Sequence, residues 1–101
     1  MKKIMDNLLK HYMNQDVAVF HTDEEGNSDI VAYVSVNKNL STSKKLEEAF
    51  MKTNTISSAW WRNEEITPMF AGNSCRSTSV GDVVVVDEKK YKCEPVGWKQ
   101  L

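Results

Sequence analysis

The sequence predicts an α+β fold: one domain over residues 1–101, with a small antiparallel sheet of about four strands in two hairpins and two helices packed on it. Three observations carry this expectation. Two β-branched runs flank an acidic, turn-rich loop, and a third such run lies near the C-terminal end. Two further stretches repeat their apolar residues with a helical period. No internal repeat, linker or low-complexity segment marks off a second domain.

Taken in order, residues 3–14 read as the first helix. Ile4, Leu8, Leu9, Tyr12 and Met13 share one stripe, while Lys2, Lys3, Asp6 and Lys10 point elsewhere. Asp6 and the shortness of the stripe argue for docking on the domain's own sheet rather than on a membrane. Asp16–Thr22 and Ile30–Val36 read as strands, and the loop between them is too long for a two-residue turn. Its carboxylates (Asp23, Glu24, Glu25 and Asp29) lack the ligand spacing of a calcium loop and read as a solvated hairpin tip.

The second helix is expected over 43–53. Leu46, Ala49, Phe50 and Thr53 hold one face, lysines and glutamates the other, and Thr42 or Ser43 can cap the free amides. From Asn54 to Ser79 the periodicity disappears, yet the stretch contains Trp60, Trp61, Met69 and Phe70, which calls for packing rather than disorder. Asp82–Asp87 is a continuous apolar strand suited to a central position. Glu88-Lys89-Lys90 then makes a turn, Tyr91–Glu94 returns, and Pro95 leaves Val96–Leu101 as a short closing piece.

Composition narrows the function classes. Thirteen basic against 14 acidic residues, for a formal net charge of -1, give no global polyelectrolyte signal. Cys75 and Cys93 read as reduced core thiols, since disulfide-dependent domains of this size usually carry more cysteines. His11 and His21 fall in different elements, so no metal site is expected, and no cofactor motif is present. The apolar stretches fall short of the ~20 residues of a membrane span, and the start lacks the apolar core of a secretory signal. The expected location is the cytosol.

Residues Arg76-Ser77-Thr78-Ser79-Val80-Gly81-Asp82-Val83, then a short hairpin and Gly97-Trp98-Lys99-Gln100-Leu101, form the pattern R-S-x-S-V-G-D-V … G-[FW]-x-x-L. It resembles small uncharacterised proteins of tailed bacteriophages, and is similar to the YodL-like domain of mobile elements. Val19, Phe20, Leu46, Ala49, Phe50, Thr53, Asn54 and Trp60 match such proteins more loosely. The resemblance implies a phage or mobile-element origin and action in the cytoplasm of a bacterial host. It implies no catalytic activity or cofactor.

The motif itself reads first as turn architecture. Gly81 supplies a positive φ or lets the backbone pass closely, Ser77, Ser79 and Asp82 can each bond nearby amides, and Arg76 can clamp Asp82 or a carbonyl. The competing reading is an anion nest with Arg76 beside it, although no P-loop lysine opens a helix here. Trp60-Trp61-Arg62 is the second candidate. In an extended segment the adjacent rings face opposite sides, leaving one exposed beside Arg62 as an interface anchor or a base-stacking group; the equal alternative is that both rings cover the small sheet. Trp98 joins the list through the C-terminal motif. Lys89, Lys90 and Lys92, with Arg76 or Lys99, could form a local basic patch diluted by Glu88 and Glu94. Catalysis has the least support: Cys75 adjoins Arg76, but no spacing brings His21 or His11 to it.

The resulting expectation is a non-enzymatic accessory protein that binds a host or phage macromolecule, most simply a protein. The alternatives are nucleic-acid binding, and small-ligand or nucleotide binding at the Arg76–Gly81 turn. The open edges of a small sheet also leave room for a homodimer.

Overall fold

The computed structural model describes residues 12–55 and 59–101. The fold is α+β, but with a single six-stranded antiparallel sheet and, among the described residues, one α-helix and one 3-10 turn. The strands are β1 (Asn14–Thr22), β2 (Ser28–Asn37), β3 (Ile66–Pro68), β4 (Val83–Val86), β5 (Lys89–Cys93) and β6 (Trp98–Gln100), in the order β3-β2-β1-β4-β5-β6. Helix α1 spans Thr42–Thr53. The expected first helix, 3–14, lies outside the described residues for all but Tyr12, Met13 and Asn14, and Asn14 begins β1 instead.

Two of the six strands correct the four-stranded expectation. β3 comes from the stretch that carries no periodicity. It pairs Ile66 with Val34 and Pro68 with Ala32, closing one edge of β2. Its proline sits on an edge strand, where a missing N–H costs least. β6 comes from the closing piece, which turns at Gly97 and pairs Trp98 with Cys93 and Gln100 with Tyr91. Three residues each are too few for alternation to appear in a sequence.

One face of the sheet holds the core. Val17, Val19, Val34 and Val84 are wholly buried with Ala32, Val36 and Val86, and α1 lays Leu46 and Ala49 on them. Ser41 caps α1 by accepting from the Lys44 amide, one residue before the expected Thr42. Lys45 is buried on this face; its Nζ donates to Gln15 Oε1 at 2.8 Å and lies 3.7 Å from Asp87. Residue Val31 is an extra residue in β2, because Val19 pairs with Ala32 while Phe20 pairs with Ile30. No helix among the described residues is long and apolar enough to cross a membrane.

The β4–β5 turn also differs from expectation. It consists of Asp87 and Glu88, not Glu88-Lys89-Lys90, and both residues have positive φ, 49° and 69°. That is the type I′ geometry that a two-residue hairpin wants, built without the usual Asn-Gly. A side chain in this region carries strain that glycine does not. Glu88→Gly is therefore expected to raise stability by about 0.5–1 kcal/mol, read as a higher urea midpoint at unchanged slope.

Candidate functional site

The Arg76–Asp82 turn enters β4, and its centre is Asp82, whose side chain is 1% exposed. A buried carboxylate is stable only when its oxygens are bonded. Arg76 supplies a two-pronged clamp, Nη1 to Oδ2 at 2.7 Å and Nη2 to Oδ1 at 2.8 Å. The backbone amides of Thr22 (2.9 Å) and Ser79 (2.8 Å) complete the set. Burial pushes the Asp82 carboxyl up. The bonds from Arg76, Thr22 and Ser79, with His21 nearby, outweigh that and hold it below the usual carboxylate range.

The turn is tied on every side. The Thr78 amide donates to the Thr53 carbonyl at the end of α1, and Asn54 Nδ2 donates to the Thr78 carbonyl. Gly81, at φ +95°, donates its amide to Cys93, and Cys93 donates back to Asp82. Trp60, 3% exposed, donates its indole N–H to the Arg76 carbonyl. The amides of Thr78, Ser79 and Gly81, which an anion nest would need, are thus taken by the chain's own acceptors. Asp82 itself occupies the anion's place.

The remaining sequence-predicted residues separate. Arg76 also donates to the Ser77 carbonyl, the Ser79 hydroxyl and the Thr22 carbonyl. Trp60 and Trp61 do not face opposite ways. The segment Trp60–Arg62 is a 3-10 turn, not extended, and the two rings meet edge to face at 5.6 Å. Phe70 meets both rings in the same manner, which places the aromatics of the 54–79 stretch against the core. Arg62 is exposed beside a shallow recess that also involves Lys52 and Asn63. Trp98 lies elsewhere, on β6, edge-on to Phe50 of α1 at 6.3 Å.

Sequence spacing gave no sign of one pairing. His21, buried at the end of β1, places Nδ1 3.6 Å from Cys75 Sγ and Nε2 2.9 Å from Thr78 Oγ1, with Asp82 Oδ2 at 3.9 Å. These groups border a recess of about 580 Å³ that also exposes Asp29, Met69 and Phe70. Burial lowers His21, against the raising effect of Asp82 and with a lowering one from Arg76. Burial likewise pushes the Cys75 thiol up. The pair is a neutral thiol bonded to a neutral imidazole, not the thiolate–imidazolium pair of an activated cysteine. Among the described residues no three His, Cys, Asp or Glu side chains converge as metal ligands.

A larger groove, about 650 Å³, runs between α1 and the β5–β6 hairpin. Leu46, Phe50, Met51, Val80, Tyr91 and Trp98 line it, and Met51 and Val80 are 65% and 57% exposed. Beside it lies β6, whose outer edge pairs with no strand among the described residues. Leu101 donates to Lys90 and Glu94 to Gly97, so the backbone groups that face β5 belong to Gly97, Lys99 and Leu101. Antiparallel alternation turns those of Trp98 and Gln100 off the sheet. No family model, curated protein or solved structure matches the chain.

Two outcomes follow from the buried cluster. Asp82→Asn is expected to cost about 3 kcal/mol in urea unfolding, the low end for breaking a buried pair, because half of the Arg76 side chain stays in water. The lowered His21 sets a pH dependence. The unfolded chain protonates this imidazole near its ordinary 6.5 while the folded chain resists, so stability is full above that pH and declines below it. His21→Gln is expected to flatten the decline in urea midpoint between about pH 7 and pH 5.

Proposed function

We propose that this chain is a non-enzymatic accessory protein of a phage or mobile element that binds a host or phage protein in the bacterial cytoplasm. It takes an extended, apolar segment of that partner along β6. The observation that carries the reading is the coincidence of a free strand edge with an apolar groove. A strand added beside β6 would bond the outward backbone of Trp98 and Gln100, and its alternate side chains would enter the groove over Phe50, Met51 and Trp98. Main-chain bonds supply affinity in such a mode and side-chain pockets supply selectivity. The R-S-x-S-V-G-D-V resemblance supports the phage or mobile-element setting. The neutral Cys75–His21 pair favours binding over catalysis.

The test is selection of peptides from a random display library on the immobilised chain, followed by amide chemical-shift mapping with the best binder. The expected consensus alternates apolar residues, and the largest shifts fall at Trp98, Gln100 and Met51. Trp98→Ala is expected to weaken that peptide by about 2 kcal/mol, roughly thirtyfold, as a buried aromatic anchor does. Met51→Glu, on an exposed side chain, is expected to act in the same direction without affecting folding, while Arg62→Ala leaves binding unchanged. Absence of any consensus, or shifts confined to another surface, would contradict the reading.

A further inference from the structure

Strand alternation divides the sheet into two unlike faces. Opposite the helix side, Ala18 pairs with Tyr33 and Val85, and Phe20 pairs with Ile30 and Val83. Further along, Val85 faces Lys90, Val83 faces Lys92, and Lys92 faces Lys99. None of these residues is buried, Tyr33 is 37% exposed, and none belongs to the cluster under α1. A covered face would show the near-zero exposures of Val17, Val19 and Val84 on the other side. This face is open.

Its chemistry is specific. Phe20 and Tyr33 stand on the adjacent strands β1 and β2 as diagonal neighbours, about 7–8 Å apart at the backbone. Lys90 and Lys92 on β5 and Lys99 on β6 lie to one side of them, beyond β4, and among the described residues none makes an ion pair, whereas Lys44, Lys45, Lys52 and Arg76 do. Glu94, two residues beyond Lys92, forms no ion pair with them. Like charges set directly opposite across two strands, as Lys92 and Lys99 are, destabilise a sheet. The fold therefore tolerates a strip of lysines without ion-pair partners among the described residues, on the same face as the exposed Tyr33 and the half-buried Phe20.

We propose that this open face is a platform for single-stranded nucleic acid, with Phe20 and Tyr33 stacking unpaired bases and Lys90, Lys92 and Lys99 taking the phosphates. Flat antiparallel sheets with central aromatics can stack two or three bases, and the rings accept any base because each presents a π-face. A duplex fits poorly, since its bases are already stacked and a broad sheet enters neither groove. The platform lies on the face opposite the α1 groove and does not depend on the protein-binding reading.

Fluorescence anisotropy of short labelled oligo(dT) and oligo(rU) with the full chain, over a salt series, tests it. Three phosphate contacts predict log K falling with log salt at a slope of about −2. The triple variant Lys90→Gln/Lys92→Gln/Lys99→Gln is expected to bring that slope close to zero. Tyr33→Ala is expected to weaken binding about tenfold or more at an unchanged slope. Tyr33→Leu guards against a folding defect by keeping apolar bulk without the ring, and is expected to weaken binding to a similar extent. Met51→Glu in the groove is expected to leave oligonucleotide affinity unchanged. No binding at low salt, equal binding of a duplex of the same length, or displacement by polyglutamate as readily as by oligonucleotide would each overturn the proposal. The last result would assign the strip to an acidic protein instead.

Discussion

The Asp82 carboxylate has lost its water, and the surrounding chain is arranged to replace it. Four donors reach it: both terminal nitrogens of Arg76 and the amides of Thr22 and Ser79. Because the donors come from the end of β1 and from the start and middle of the turn, meeting the needs of one side chain fixes the approach of the 69–82 segment to the sheet. The fixation spreads outward through the Arg76 carbonyl to the Trp60 indole, and through Thr78 to His21 and the end of α1. An irregular stretch that carries four large apolar side chains is thereby held against the core instead of collapsing arbitrarily. Removing the carboxylate would leave a guanidinium and two amides seeking partners, which is why a single polar group outweighs its share of buried area.

The two proposed surfaces follow from a mismatch of sizes. A helix is about 10 Å across, and strands lie about 4.8 Å apart, so one helix covers two or three strands. Helix α1 rests on β2, β1 and β4. The β5–β6 hairpin extends past it, and the uncovered strip becomes the groove under Phe50 and Trp98. On the opposite side of the sheet Phe20 and Tyr33 keep contact with solvent. The groove is apolar and borders an edge strand; the opposite face carries Phe20, Tyr33 and three lysines that form no ion pair among the described residues. These call for different ligands.

Much of the scaffold was readable from the sequence because it rests on local period. β1, β2 and β4 announce themselves by β-branched runs, β5 by the alternation of the returning Tyr91–Glu94, and α1 by Leu46, Ala49, Phe50 and Thr53 on one face. β3 and β6 were not readable, since three-residue strands are defined by the neighbour that pairs with them. The Arg76–Asp82 clamp was readable because both partners lie within one turn. The meeting of His21 with Cys75 was not, because 54 residues separate them and only the β1–β4 pairing and the returning loop bring them together. Trp60-Trp61 misled for a related reason: a tightly wound 3-10 turn brings adjacent rings to a common cluster, where an extended chain would part them. The open face was hidden as well, since Phe20 and Tyr33 look like any strand aromatics until the helix is seen to lie on the other side.

The claim that Asp82 organises the molecule is tested most directly by native-state hydrogen exchange at the two backbone amides that it accepts from, Thr22 and Ser79. If the carboxylate holds them as part of one cooperative unit, both exchange only through global unfolding, with the same free energy as the amides of β1 and β4. Ser79 exchanging as fast as a free loop while β1 and β4 remain protected would show that the turn opens on its own, and would contradict the account.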